Sequence, residues 1–229
     1  MRLVYHVMSE PQPLGLLLLA ATDRGLRHVD FMDKKSLKRA IAAREAAEPG
    51  AQWEPSLLEL RPLADQIEEF LTGARKTIEG ALDPQGDELS LAVWKKLRAL
   101  PFGETCTVAD LARAVGQPRN LRAVAQAVLT NPLPIVVPCH RVLGTDGKPS
   151  NYVGGLPRKK YLLALEERFH KMGGLDDNRV IGELTKRVRR PITPARAVAK
   201  ATAKKRADSR STAASAVSTS LKAPKKRPR

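Results

Sequence analysis

The segment Asn131–Val142 reads NPLPIVVPCHRV, and it concentrates the residue types that carry chemistry in this sequence. Cys139 is followed directly by His140 and Arg141. A titratable base and a permanent cation beside a sulfur favour the thiolate, the nucleophilic form of the side chain. Pro138 fixes the backbone before the cysteine, and Leu133–Val137 reads as a short, buried, β-like run between prolines. A cysteine in apolar surroundings is by itself a small core hydrophobe, so its two neighbours make it a candidate nucleophile. Adjacent side chains on an extended chain point to opposite faces, which argues against direct thiolate–imidazole pairing of the peptidase kind. Glu166 lies on the margin of an apolar helix face formed by Tyr161, Leu162, Leu165 and Phe169. There a carboxylate is either half-buried and able to orient a histidine, or simply solvated.

Composition narrows the remaining chemistry. Cys106 and Cys139, with His6, His28, His140 and His170, are too few and too scattered for a four-ligand zinc site or a disulfide framework. A reducing compartment, no metal and no cofactor are therefore expected. The longest apolar run, Leu14–Thr22, falls short of the roughly 20 residues that span a bilayer. No basic leader with a nearby cleavage site accompanies it, so neither a signal peptide nor an anchor is expected. The formal charge is +16, but residues 186–229 hold fifteen Lys/Arg against Asp208 alone and account for +14 of it. The rest of the chain is nearly neutral.

Three organisational units are expected: 1–85, 86–170 and 171–229. The first reads as a small α/β support unit. LVYHV, LGLLLLAAT and LRHVDF predict three strands, broken by Pro11, Pro13 and the turn Asp23-Arg24-Gly25. A helix should follow with Pro62 near its start, Leu63, Ile67, Phe70 and Leu71 on one face, and Gly73 as its stop. In the second unit, Ser90 is the expected cap of a helix ending at Leu100–Gly103. Thr107 and Asp110 form a capping pattern for a helix ending at Gly116, and Pro118 suits the first turn of the next, which Asn131-Pro132 terminates. Two short helices joined by Gly-Gln-Pro predict a helix-turn-helix, a DNA-binding geometry when the second helix meets a groove. A further helix begins near Pro157. The third unit, rich in Ala, Lys, Ser and Pro, cannot bury enough apolar surface to offset its chain entropy and is expected to be disordered.

Residues 1 to about 169 resemble the O6-alkylguanine-DNA alkyltransferases, also called methylated-DNA–protein-cysteine methyltransferases. The resemblance is strongest from Trp94 to Glu166. It rests on Pro138-Cys139-His140-Arg141-Val142, on Pro101–Thr105, Arg122-Ala123-Val124 and Asn131-Pro132, on Asn151-Tyr152 with Gly154-Gly155-Leu156, and on Glu166. It implies an α/β (α+β) chain: a small ribonuclease-H-like N-terminal domain and a helical, winged helix-turn-helix-like C-terminal domain.

The implied function is DNA repair by suicide transfer of an alkyl group from O6 of guanine, with O4 of thymine as a second target, to Cys139. His140 would act through a bound water, with Glu166 holding the histidine. Arg122 would fill the duplex when the nucleotide is rotated out, since the reacting atom is otherwise inside the stack. Thr107, Ala123, Asn131 and Arg141 are the other expected DNA-binding residues, with Asn131 also holding the turn before the cysteine. Val108, Val142, Tyr152, Val153 and Gly154 are expected in the substrate pocket. The backbone carbonyls of Cys139 and Val142 would meet the guanine amine, and the Val153 N–H would meet O6.

The sequence departs from the family pattern at Val108, where a Tyr is usual, at Val153, where a small residue is usual, and along Leu121–Ala127. The implied partner is duplex DNA carrying O6-alkylguanine, bound by a monomer without a membrane. The basic tail is expected to add nonspecific phosphate contacts, about 5 of which would give a salt slope near −4.5. Its PKKRPR resembles a nuclear import signal, implying a nuclear place in a eukaryote and a cytoplasmic, nucleoid-associated one in a bacterium. A lesion sensor without transfer and a nonenzymatic nucleoid protein are the alternative readings.

Overall fold

The computed structural model describes residues 1–35 and 37–172. The basic tail expected to be disordered and to bind phosphates lies outside the described residues. The N-terminal half is a four-stranded sheet of order β3-β2-β1-β4, built from β1 (Arg2–Glu10), β2 (Gly15–Thr22), β3 (Gly25–Met32) and β4 (Gln52–Pro55). The β1–β2 and β2–β3 pairs are antiparallel and β4 joins β1 in parallel.

The unbroken leucine run of β2 has a physical cause, because the sheet is covered on both faces. Leu17 and Leu19 enter the main core, whereas Leu16 and Leu18 pack with Leu3, Tyr5 and Ile41 on the opposite face. Ile41 comes from helix α1 (Leu37–Ala47), which, like β4, the sequence reading did not anticipate. Helix α2 (Leu57–Leu71) lays Leu60, Ala64, Ile67 and Phe70 against the main core. It starts ahead of Pro62 because Ser56 accepts a hydrogen bond from the Glu59 N–H and caps it.

The C-terminal half is mostly helical: α3 (Glu88–Arg98), α4 (Val108–Ala114), α5 (Leu121–Leu129) and α6 (Leu156–Met172), with β5 (Cys106–Thr107) paired in parallel to β6 (Val142–Leu143). Asp87, not Ser90, caps α3, accepting from the Ser90 N–H at 2.7 Å. Thr107 and Asp110 form the expected reciprocal capping box on α4. Pro118 lies in the turn before α5, whose N-cap is Asn120. Trp94 Nε1 donates to the Ala127 carbonyl at 2.8 Å in the interior, fixing α5 against α3.

One core runs through both halves, from Val4 and Leu17 through Ile67, Trp94 and Val124 to Leu162. The edge strand β3 is not left open, since the Val29 N–H donates to the Pro132 carbonyl at 2.8 Å. The sheet thereby touches the segment that carries Cys139. No described helix is long and apolar enough to cross a membrane.

Candidate active site

Leu133–Val137 is a compact buried turn and not the expected β-like run. The Val137 N–H closes onto the Leu133 carbonyl at 2.8 Å, and Ile135 is held at φ 75°. A β-branched residue in that region is strained by about 1–2 kcal/mol, which its burial at 2% exposure sustains. Pro138, at φ −79° and ψ 63°, then makes a tight inverse turn closed by Cys139 N–H to the Val137 carbonyl at 2.8 Å. A single 3-10 turn, Cys139–Arg141, follows and leads into β6. Tertiary burial overrode the local β propensity here.

Asn131 organises this turn from within. It is 1% exposed; its Oδ1 accepts the Leu133 N–H at 3.0 Å, and its Nδ2 donates to the Val137 carbonyl at 2.8 Å and to Cys139 Sγ at 3.0 Å. It thus holds the turn as expected, but its burial leaves no surface for the expected DNA contact.

Cys139 itself is 1% exposed, and burial pushes its thiol up to about 11, against the opposing effects of Asn131 and Lys159. The resting sulfur is therefore a thiol, where the sequence led us to expect a favoured thiolate. The reason is burial, and Arg141 does not offset it. Its guanidinium turns inward, 5% exposed, with Nε donating to both Glu166 oxygens at 2.9 and 3.0 Å and another nitrogen to the Leu100 carbonyl at 2.5 Å. Arg141, expected on DNA, is committed to the interior.

Glu166 is the hub of that interior. Its Oε1 also meets His140 Nε2 at 2.7 Å, and its Oε2 accepts the Gly103 N–H at 2.8 Å. Burial opposes its ionisation, yet hydrogen bonds and charge from His140 and Arg141 hold the carboxyl down at about 2. Burial lowers the His140 pKa despite Glu166, so the ring is neutral near pH 7. Neutral His140 donates Nε2–H to the carboxylate and keeps a lone pair on Nδ1, a buried atom without a protein hydrogen-bond partner.

A mostly apolar cavity of about 130 Å³ is lined by Val108, Ala125, Val128, Leu129, Val142, Ser150 and Asn151, so it reaches the cysteine segment at Val142. Val108 and Val142, both expected in the substrate pocket, line this cavity. Tyr152 is buried and packs edge-on against the His140 ring, at 6.4 Å and 89°. Gly154 is buried and Val153 is 45% exposed; neither they nor Tyr152 are among the residues that line the cavity. On the outer face, Arg122 is exposed in the first turn of α5, Ala123 is half-buried, and Thr107 is half-buried at the start of α4.

The sequence reading missed Lys159. It is 1% exposed, and its Nζ donates to the Val142 carbonyl at 2.5 Å and the Asn151 carbonyl at 3.4 Å, tying the two sides of the pocket together. Its position three residues before the buried Leu162, on the same face of the helix, was the available signal. No group of three metal-binding side chains occurs among the described residues.

Comparison with known proteins agrees with this geometry. Residues 88–168 match the family described as 6-O-methylguanine DNA methyltransferase, DNA binding domain, and residues 3–84 match the ribonuclease-like domain of the same description. The methylated-DNA–protein-cysteine methyltransferase of Methanosarcina barkeri is 40% identical over 164 residues, covering 72% of this chain and 98% of its own length. The inducible protein of that name from Bacillus subtilis is 36% identical over 150 residues, covering 66% of this chain and 83% of its own. Mycobacterium tuberculosis OGT, solved in complex with DNA, is similar at a TM-score of 0.61 and 30% identity, covering 74% of this chain and 94% of that one.

Proposed function

This chain belongs to the 6-O-methylguanine DNA methyltransferase family, and from that premise we propose that it repairs duplex DNA by moving an alkyl group from guanine O6 onto Cys139. The observation that carries the reading is the buried array of Cys139, His140 and Glu166, with an apolar cavity that reaches Val142 and a helix-turn-helix on the adjoining surface.

The resting thiol sets the order of events. With the thiol at about 11, little thiolate exists before substrate arrives, so proton removal accompanies attack. His140 Nδ1 is the base, acting through a water, and Glu166 stabilises the imidazolium that forms. The sulfur electron pair forms the S–C bond as the C–O6 bond breaks, and its electrons leave with the guanine. The proton taken from the thiol then passes from His140 to the guanine anion, completing the balance. The product thioether has no easy leaving group, so each molecule acts once.

Arg122, exposed at the start of α5, is suited to occupy the duplex when the damaged nucleotide is extruded. Ala123 behind it permits close approach of the helix to the groove. The Cys139 and Val142 carbonyls and the Val153 N–H are the groups assigned to guanine recognition, and Lys159 holds the Val142 carbonyl in place. The basic segment beyond residue 172 is assigned a nonspecific phosphate-binding role.

The test is intact mass spectrometry after mixing the protein with a duplex containing one O6-methylguanine. A gain of one methylene, mapped to Cys139 and absent in Cys139→Ala, is expected. Unmodified protein at saturating duplex would overturn the reading.

A further inference from the structure

Arg158 sits in the first turn of α6, just past the pocket loop Asn151–Gly155, and it reaches into the other half of the chain. Its Nε donates to the Leu14 carbonyl at 3.0 Å, immediately before β2, and its Nη1 donates to the Gly154 carbonyl at 2.9 Å. The same guanidinium lies 4.9 Å from the ring centre of Phe31, near the end of β3. Phe31 in turn packs edge-on against Tyr152 at 5.9 Å, and Tyr152 packs against His140.

Gly154 shows how close this contact is. A Cβ built there would come within 2.5 Å of Phe31 Cε2 and 2.8 Å of Tyr152 Cε1, so only glycine lets the loop pass between the two rings. A planar guanidinium that donates to two carbonyls while its carbon lies over a ring is a use that lysine reproduces only in part.

We propose that Arg158 and Phe31 form a clamp by which the N-terminal sheet sets the position of the Asn151–Gly155 loop, making both of them positioning residues for alkyl transfer. This rests on the reading of the site given above. Neither residue touches the reacting atoms. They act through Gly154 and Tyr152, whose loop carries the Val153 N–H assigned to O6 and whose ring abuts the base. Misplacing that loop by about an ångström impairs the reaction without impairing binding, because DNA is held by the helix-turn-helix on another surface.

The experiment uses the full chain carrying Arg158→Met, Arg158→Lys, Phe31→Ala or Phe31→Leu. Two quantities are read: amide hydrogen exchange of Asn151–Gly155 in the free protein, and single-turnover transfer against duplex concentration. The clamp predicts at least tenfold faster loop exchange in Arg158→Met and Phe31→Ala, with core strands unchanged. It predicts a maximal transfer rate about tenfold lower, a half-saturating duplex concentration within twofold of the parent, and partial recovery in Arg158→Lys and Phe31→Leu. Unchanged loop exchange overturns the clamp, as does a rate loss matched by an equal loss of duplex affinity. Should the parent protein itself transfer nothing, the alkyl-transfer reading fails while the exchange data still judge the clamp.

Discussion

The molecule contains the same trio twice, with opposite consequences. In the C-terminal half, His140 and its neighbour Arg141 share Glu166; in the N-terminal half, His28 and its neighbour Arg27 share Glu48. Both histidines meet their glutamate through Nε2, at 2.7 and 2.5 Å respectively. Both glutamates are held below the usual carboxylate range, since partners outweigh the opposing effect of burial. What differs is the other side of each ring. His28 stacks on Trp53 with ring centres 6.3 Å apart, whereas His140 lies next in sequence to a buried thiol and edge-on to Tyr152. A polarised histidine is common structural material, and the proposed role of His140 as a base rests on the nucleophile next to it.

Removing each glutamate should separate the two trios most widely. Glu166→Gln leaves the Arg141 guanidinium buried without its counter-charge and His140 without its orienting anion. A stability loss of about 3–5 kcal/mol is expected, together with at least a ~100-fold fall in single-turnover rate measured below the shifted melting point. Glu48→Gln should leave the rate within twofold. Equal rate losses in both variants would erase the distinction.

How much of this contrast could be read from the sequence differs between the halves. Cys139, His140 and Glu166 were legible because the motif is contiguous and Glu166 falls on a helix margin at the right period. Strands β1 to β3 and the Thr107–Asp110 box were legible for the same reason, that local pattern and tertiary demand agree. The inward turn of Arg141 was not, because its partners Glu166 and the Leu100 carbonyl are distant in sequence. Lys159 was missed because lysine is rarely buried. The β-like reading of Leu133–Val137 failed where Asn131 hydrogen bonds and core burial imposed a turn on β-branched residues.

Acid groups sharpen the comparison through pH. Glu166, held at about 2, adds stability above the ordinary carboxylate pKa, and that contribution is lost as pH falls from about 4.5 toward 2. Glu10, in the N-terminal half, is the reverse case. Burial, with Glu68 nearby, raises it to about 7, so its contribution is full below 4.5 and is lost as pH rises through 7. Glu10→Gln should therefore raise the stability at pH 8 by up to about 3 kcal/mol and leave it little changed at pH 4.5. Thermal melts at the two pH values check this, and a pH-independent effect would show that Glu10 is not neutral in the fold.

The pocket offers a gain where the previous variants give losses. Val108 opens α4 and lines the cavity, at the position where the family resemblance leads one to expect a tyrosine. A phenol there could donate to the departing guanine, a hydrogen bond to developing charge of about 1.5–3 kcal/mol, or roughly 10- to 150-fold in rate. The cavity that Val108 lines measures about 130 Å³. Val108→Tyr is expected to speed transfer toward the lower end of that range, because Ser150 and Asn151 already line the same space. A single-turnover rate no higher than the parent's would remove the donor role from this position.

The smallest expected effect is the sharpest test of the idea that context, not composition, sets the proposed role of the His140 trio. His28→Gln keeps an amide able to donate to Glu48 and loses only the ring stacked on Trp53, so stability should fall by about 1 kcal/mol or less. Burial lowers the His28 pKa even with Glu48 beside it, so the parent ring is already neutral near pH 7 and no charge is removed by the change. Transfer should stay within twofold at every pH from 6 to 8, while His140→Gln, which makes the same substitution in the other trio, removes the base and with it the reaction. If His28→Gln slowed transfer as His140→Gln does, the N-terminal trio would have to belong to the chemistry, and the separation drawn between the two halves would not survive.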